Sequence, residues 1–335
     1  MRTEVASAPQ AGSPRAILEM ATAFQRSRIL LTAHELDLFT VLDDEPKSSA
    51  DVAKTLGTDR RGTDRLMNAL CSMALLEKRD GRFSATPSAS RFLVRGRPEF
   101  LAGLMHTVHL WETWSTLTDA VRQGGSVVSG AIEDRGEKWL RAFIAAMHWR
   151  GRQHAQEVMA LLDLSGVSRV LDVGGGSGVY AMAFARAKPD ITAVVFDLPS
   201  VVPMTQEYIA QEELADRVKT VAGDYEVHEL GTGFDLVFLS AIIHGNSERG
   251  NRGLVRKCAG TLKPKGQLVV QDFIIDEDRM GPPFAVLFAL NMLVGTESGD
   301  TYTESDVREW MQEAGLSGIT RKDTEFGTSL LTGRK

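Results

Sequence analysis

The sequence predicts an α/β protein in which a helical amino-terminal region precedes a doubly wound, largely parallel sheet of seven strands. Three observations carry this reading. Residues 16 to about 160 show helical apolar spacing almost throughout, whereas residues 168–335 alternate short β-rich runs with helical periods. A glycine-rich turn also separates the first of those runs from the helix that follows it. At 335 residues, 43% hydrophobic and 24% charged, the chain has material for about two domains with sizeable cores.

Ile17, Met20, Ala21, Phe24, Ile29, Leu30, Ala33, Leu36 and Val41 lie near helical spacing within residues 16–42, with an interruption at 36–38. One long helix or two short ones should open the fold. Residues 49–56 then read as a short helix, Gly57 as a turn, and residues 58–73 as a second helix capped by Thr58 and Asp59. A hairpin over 75–78 and 83–85, turning at Asp80 and Gly81, would complete a winged helix.

Winged helices often bind DNA, and residues 49–97 hold ten Lys or Arg against five Asp or Glu, a local charge of +5. The second helix, however, alternates Asp59, Arg60, Arg61, Asp64 and Arg65 and carries Gly62 near its start, a poor face for phosphates. The whole chain, with 38 basic and 44 acidic residues and a pI near 5.7, lacks the basic excess of a dedicated nucleic-acid binder.

Residues 101–165 form a helical connector that holds Trp111, Trp114, Trp139 and Trp149 with His106, His109, His148 and His154. The organisation expected is therefore 1–100 for the winged helix, 101–165 for the connector and 166–335 for the sheet domain. The first fourteen residues contain no apolar run resembling a secretory signal, and the most apolar stretch, residues 284–294, is too short for the roughly 20 residues of a membrane span. A cytoplasmic protein without membrane contact is expected. Cys71 and Cys258 are far apart, and no His or Cys cluster has metal-ligand spacing, so no metal is expected.

In the sheet domain, strands are predicted at 169–173, 191–196, 218–222, 234–239, 267–273, 318–323 and 329–332. Helices are predicted at 179–187, 203–211, 251–262 and 303–314. The sharpest motif is Val170-Leu171-Asp172-Val173-Gly174-Gly175-Gly176-Ser177-Gly178. Its glycines give G-x-G-x-G, but Val179 occupies the last position of the dinucleotide fingerprint G-x-G-x-x-G, which disfavours a nicotinamide cofactor. There is no phosphate-cradling loop with its lysine either. Asp197, ending the second strand, can accept two hydrogen bonds from ribose hydroxyls, and Asp224, after the third, stands at the height of an adenine amino group. Three strand ends thus converge on one nucleoside.

These residues resemble the S-adenosylmethionine-dependent small-molecule O-methyltransferases of the plant caffeic acid type and their bacterial polyketide and carotenoid relatives. The winged-helix start, Leu171 to Gly178, Phe196-Asp197-Leu198-Pro199, Gly223-Asp224, Leu262-Lys263-Pro264-Lys265-Gly266 and Glu313-Ala314-Gly315-Leu316 occur in family order over nearly the whole chain. The resemblance implies a Rossmann-like seven-stranded class I methyltransferase sheet, with S-adenosylmethionine as cofactor and S-adenosylhomocysteine as its product. Cofactor contacts are implied from Gly174, Gly176, Asp197, Asp224, Tyr225 and Ser240. It also implies that the winged helix makes a homodimer and that residues 101–165 help wall the substrate pocket.

His244, at the end of a strand and four residues after Ser240, occupies the place of the family's general base. Elementary chemistry agrees, since an imidazole near pKa ~6.5 can take the proton that a phenol near ~10 must lose to become a nucleophile. Asp272, in the place of a family glutamate, is the candidate to hold the other ring nitrogen. The family's second glutamate falls near Thr301, and the Asp-Trp that usually follows the histidine is Gly245-Asn246 here. Met147 and His148 on the connector, with Phe288, Asn291 and Met292 at helical spacing, are the candidate substrate residues, and Asn291 is expected to make one polar contact to the acceptor.

The function expected is methylation of an oxygen on a small phenolic or polyketide-like molecule. Two other readings stand beside it: methylation of sulfur or nitrogen, which need no base, and a cofactor-sensing winged-helix regulator that binds DNA. His228 and the histidines at 106, 109 and 154 are expected to be core or surface groups.

Overall fold

A computed structural model describes residues 12–128 and 135–335. The chain divides into two compact units, one ending at Trp111 and the other running from Glu112 to Lys335, so the predicted connector is shared between them.

The first unit opens with three helices, α1 (Pro14–Thr22), α2 (Phe24–Glu35) and α3 (Leu38–Val41), rather than one or two. The interruption expected at 36–38 falls at Asp37, whose φ of 57° is left-handed and cannot continue a helix, and the additional break is at Ala23. The winged helix follows. A capping box between Ser48 and Asp51 starts α4 (Ser49–Leu56), and Gly57 ends it in a left-handed conformation. Asp59 alone caps α5 (Arg60–Ser72), because the Thr58 hydroxyl is paired with that of Thr63 at 2.7 Å. The hairpin of β2 (Leu76–Arg79) and β3 (Arg82–Ala85) gains a third strand, β1 (Lys47–Ser48), in the order β1-β3-β2. Two residues are too short for a period to register, so β1 has no sequence signal. Phe39, Met67, Leu70 and Phe83 centre this unit's core. Helices α6 (Pro87–Leu93) and α7 (Leu104–Trp114) lead out of the winged helix.

In the second unit, α8 (Leu117–Gln123) and the long α9 (Glu137–Leu161) precede the sheet. The chain then runs β4 (Arg169–Val173), α10 (Val179–Ala187), β5 (Thr192–Asp197), α11 (Val202–Gln211), β6 (Val218–Ala222) and β7 (Phe234–Ser240). It ends with α12 (Glu248–Thr261), β8 (Leu262–Asp272), α13 (Pro283–Gly295), α14 (Glu304–Glu313), β9 (Ser317–Asp323) and β10 (Ser329–Arg334). All seven predicted strands form. Strand β8 starts five residues earlier than expected, because Leu262 pairs with Phe234 ahead of a bulge.

Sheet order is β6-β5-β4-β7-β8-β10-β9, with β10 antiparallel to both its neighbours and the others parallel. Alternation along the inner strands splits the core. Leu171, Val173, Val237 and Leu239 enter one cluster, while Val170, Leu236 and Phe238 enter the other. The chain fills the sheet outward from β4 through β5 to β6, then returns to β4's other side with β7. That reversal opens a crevice at the carboxyl ends of β4 and β7, where ligands bind in open α/β sheets.

Candidate active site

The loop between β4 and α10 lies at this crevice. Gly174 and Gly176 have φ of +66° and +57°, which residues with a Cβ adopt only at a cost, and a Cβ on Gly174 would overlap the Ile242 side chain. The loop is tied to the next strand. The Gly176 N–H donates to Asp197 Oδ2 at 2.7 Å, and the Leu198 N–H donates to Oδ1 at 2.7 Å. Burial pushes the Asp197 carboxyl up to about 6 despite those two donors. Beneath the loop, Asp172 is fully buried. One of its oxygens accepts from the Ala181 N–H at 3.2 Å, the other has no partner among the described residues, and burial pushes the group up to about 7.

This cradle fits a nucleoside without phosphates. It offers backbone unobstructed by Cβ atoms and no lysine. Each Asp197 oxygen has one donor already, which leaves lone pairs for ribose hydroxyls. Asp224 lies after β6, half-buried, its carboxylate accepting from the Glu226 N–H at 2.8 Å. His228 is exposed as expected, and its Nδ1 accepts from the Asp224 N–H at 3.1 Å. The Ser240 hydroxyl donates to Gln271 Oε1 at 3.1 Å.

On the other side of the crevice β7 ends in Ala241 at φ 56° and a single 3₁₀ turn, Ile243–Gly245. His244 Nδ1 lies 2.7 Å from Asp272 Oδ1. The same oxygen accepts from the Phe273 N–H at 2.8 Å, and Oδ2 accepts from the backbone N–H of His244 at 3.4 Å. A carboxylate given three donors can only accept, so Nδ1 carries the hydrogen and Nε2 holds a lone pair with no partner among the described residues. The imidazole side chain is 16% exposed and Asp272 1%.

Asn246, one of the two residues that replace the family's Asp-Trp, secures this turn. Its Oδ1 accepts from the Tyr225 phenol at 2.9 Å, its Nδ2 donates to Asn251 Oδ1 at 3.2 Å, and its carbonyl accepts from the Tyr302 hydroxyl at 2.5 Å. Asn251 in turn donates to the Ile243 carbonyl at 2.8 Å. Burial pushes both tyrosines up to about 12, so their hydroxyls remain donors at neutral pH. Thr301 is buried with its Oγ1 unpartnered among the described residues.

An aromatic wall flanks His244. Phe288 stands edge-on to His244 with ring centres 4.8 Å apart, and Phe273 lies 4.7 Å from both Phe288 and Phe284. Met292 is buried and Met147 half-buried. The structure places the other two substrate candidates among different partners. Asn291 Oδ1 accepts from the Trp114 indole at 2.9 Å. His148 stacks on Tyr208 at 4.0 Å and lies 3.0 Å from Ser177 Oγ in the glycine loop, and burial lowers its pKa to about 4. Sequence reasoning missed Arg150, Asn251 and Tyr302, and noted Asn246 only as a departure from the family's Asp-Trp. Only Arg150 offered a signal, being three residues after Met147 on the same helix. No group of three His, Cys, Asp or Glu side chains that could hold a metal occurs among the described residues, and no described helix is long and apolar enough to cross a membrane.

Comparison with known proteins covers both units. Residues 114–317 match the family described as O-methyltransferase domain, and residues 18–95 match the O-methyltransferase dimerisation domain. The 3-hydroxy-5-methyl-1-naphthoate 3-O-methyltransferase of Streptomyces sahachiroi is 32% identical over 93% of this chain and 92% of its own length. The tetracenomycin polyketide synthesis 8-O-methyl transferase of Streptomyces glaucescens is 30% identical over 96% and 97%. Among solved structures, human N-acetylserotonin methyltransferase in complex with S-adenosylmethionine superposes with a TM-score of 0.85 at 26% identity, covering 97% of this chain and 99% of that one.

Proposed function

The chain belongs to the O-methyltransferase family, and we propose that it methylates a hydroxyl of a small aromatic, polyketide-like acceptor with His244 as general base. S-adenosylmethionine, when bound, supplies a methyl group already activated by its sulfonium charge. The protein's own work is then to position and to move one proton.

In this reading Gly174 and Gly176 admit the cofactor to the backbone, Asp197 accepts from its ribose, and Asp224, Tyr225 and Ser240 complete its surroundings. Asp272 orients the imidazole and stabilises the charge that forms when Nε2 accepts the acceptor's hydroxyl proton. Phe288, with Met292 and Met147, lines the acceptor side. The single observation that carries the reading is the His244–Asp272 hydrogen bond with Nε2 left open. The dimerisation-domain match supports a homodimer formed through the winged helix.

The test is to incubate the enzyme with S-adenosylmethionine and a panel of naphthols, polycyclic phenols, thiols and amines, following S-adenosylhomocysteine and the methylated product. Methyl ethers are expected, and His244→Ala should lower turnover about 10²–10⁴-fold while still binding S-adenosylhomocysteine. Full turnover by that variant would remove the base, and products methylated only on sulfur or nitrogen would remove the oxygen acceptor.

A further inference from the structure

One charged side chain beside the site has no role in the chemistry above. Arg150 lies on α9 and is half-buried, and among the described residues its guanidinium makes neither a hydrogen bond nor an ion pair. Its partners are two rings. The guanidinium carbon stands 4.9 Å from the centre of Phe273 and 5.5 Å from that of Phe284. Other arginines set on rings in this unit also use a donor on protein. Arg135 lies over Trp139 and donates to the Gly295 carbonyl at 2.8 Å, and Arg169 lies over Phe234 and donates to the Thr232 carbonyl at 3.0 Å. Arg150 keeps its whole fork of five N–H groups unspent.

The fold fixes this placement. Gly151 follows Arg150, and a Cβ there would overlap the Val179 side chain, so α9 lies hard against the start of α10 at this turn. Phe273 then links the cation to the base. Its ring is the one over which Arg150 stands, and its centre is 6.4 Å from that of the His244 imidazole. The aromatic wall that begins at the base therefore ends at a positive charge. Ring faces offset only part of the cost of drawing a guanidinium out of water, and an anion with two oxygens is the natural complement to an open planar fork. Burial pulls the Arg150 pKa down while Tyr180 and Asp272 oppose it, and a guanidinium stays protonated wherever a carboxylate is ionised.

We propose that Arg150 binds a carboxylate on the acceptor, so that the substrate is a hydroxyaryl carboxylic acid held with its hydroxyl at His244 and its acid group at Arg150. The proposal rests on the reading of His244 as the site of methylation.

The experiment measures kcat/KM for 3-hydroxy-2-naphthoate and 6-hydroxy-2-naphthoate, which differ in spacing, and for their methyl esters, with wild type, Arg150→Lys and Arg150→Met. Calorimetric binding of the same four compounds to the S-adenosylhomocysteine complex gives a readout without turnover. Wild type should favour at least one acid over its ester by roughly 30-fold, Arg150→Lys should keep part of that ratio and Arg150→Met should abolish it. The proposal is overturned if wild type favours both esters, or if Arg150→Met weakens acid and ester alike. Acid binding that depends on Arg150 without methylation would keep the carboxylate site at Arg150 and sink the reading of His244 as the site of methylation. Methylation of acids indifferent to Arg150 would do the reverse. Affinity for S-adenosylhomocysteine reports whether each variant is folded.

Discussion

Replacing Asp272 by asparagine removes a charge and keeps a shape, and the geometry fixes what that should cost. Oδ1 accepts from both the His244 ring and the Phe273 N–H, at 2.7 and 2.8 Å, whereas Oδ2 faces only the His244 backbone N–H at 3.4 Å. An amide NH2 in the Oδ1 position would oppose two close donors, so the asparagine oxygen takes that position. The ring then keeps its Nδ1 hydrogen and its open Nε2. What disappears is the charge that stabilises the imidazolium. A hydrogen bond to a charged group contributes about 1.5–3 kcal/mol against about 0.5–1.5 for a neutral one, so the expected loss is near 1–1.5 kcal/mol. That is about tenfold in rate. Asp272→Ala leaves Nδ1 without a partner and should approach the loss seen in His244→Ala, about 10²–10⁴-fold. Single-turnover product formation at saturating S-adenosylmethionine and acceptor measures all three, with S-adenosylhomocysteine affinity as the control for folding. An Asn variant as slow as His244→Ala would refute the argument that Oδ1 sets the ring's tautomer. One as fast as wild type would show that the carboxylate's charge contributes nothing.

Three other outcomes follow from the same geometry. Ionised Asp197 is the stronger acceptor for two ribose hydroxyls, and its carboxyl is pushed up to about 6, so S-adenosylhomocysteine affinity should be flat above that value and fall by up to about tenfold per pH unit below it. Calorimetry across pH 5–8 checks this, and Asp197→Asn should bind weakly with no such dependence. Gly151→Ala places a Cβ into Val179 and should destabilise the second unit by about 1–3 kcal/mol in urea unfolding, whereas Gly253→Ala, with open space around it, should not. Asn246→Ala strips two side-chain hydrogen bonds, to Tyr225 and Asn251, from the turn carrying His244, and kcat should fall about tenfold or more while cofactor affinity changes less, as read from kcat and KM separately.

The parts legible in the sequence share a property: each is a local pattern or a position at a strand end. The strands, the glycine turn and the acidic residues after β5 and β6 announce themselves within a few neighbours. Asp272 was reachable because it closes a strand, and its pairing with His244 is what adjacent carboxyl ends of β7 and β8 produce. What could not be read depends on partners remote in the chain. Asn291 meets Trp114 across 177 positions, and Asn246 meets Tyr302 across 56. His148 faces the glycine loop because of how α9 lies on α10, which no period within α9 encodes. The extra break at Ala23 falls in an otherwise helical pattern and keeps helical backbone angles, so no residue type marks it, whereas the interruption expected at 36–38 is the left-handed Asp37.

The Tyr225 hydrogen bond to Asn246 joins two loops with different duties. One follows β6 and is proposed to meet the cofactor, and the other carries His244. If a ligand orders the first loop, this bond orders the second with it, and the ordering entropy is then shared between the two substrates. Each would bind more tightly once the other is in place, by equal factors, and the imidazole would be held most firmly when both reactants are present.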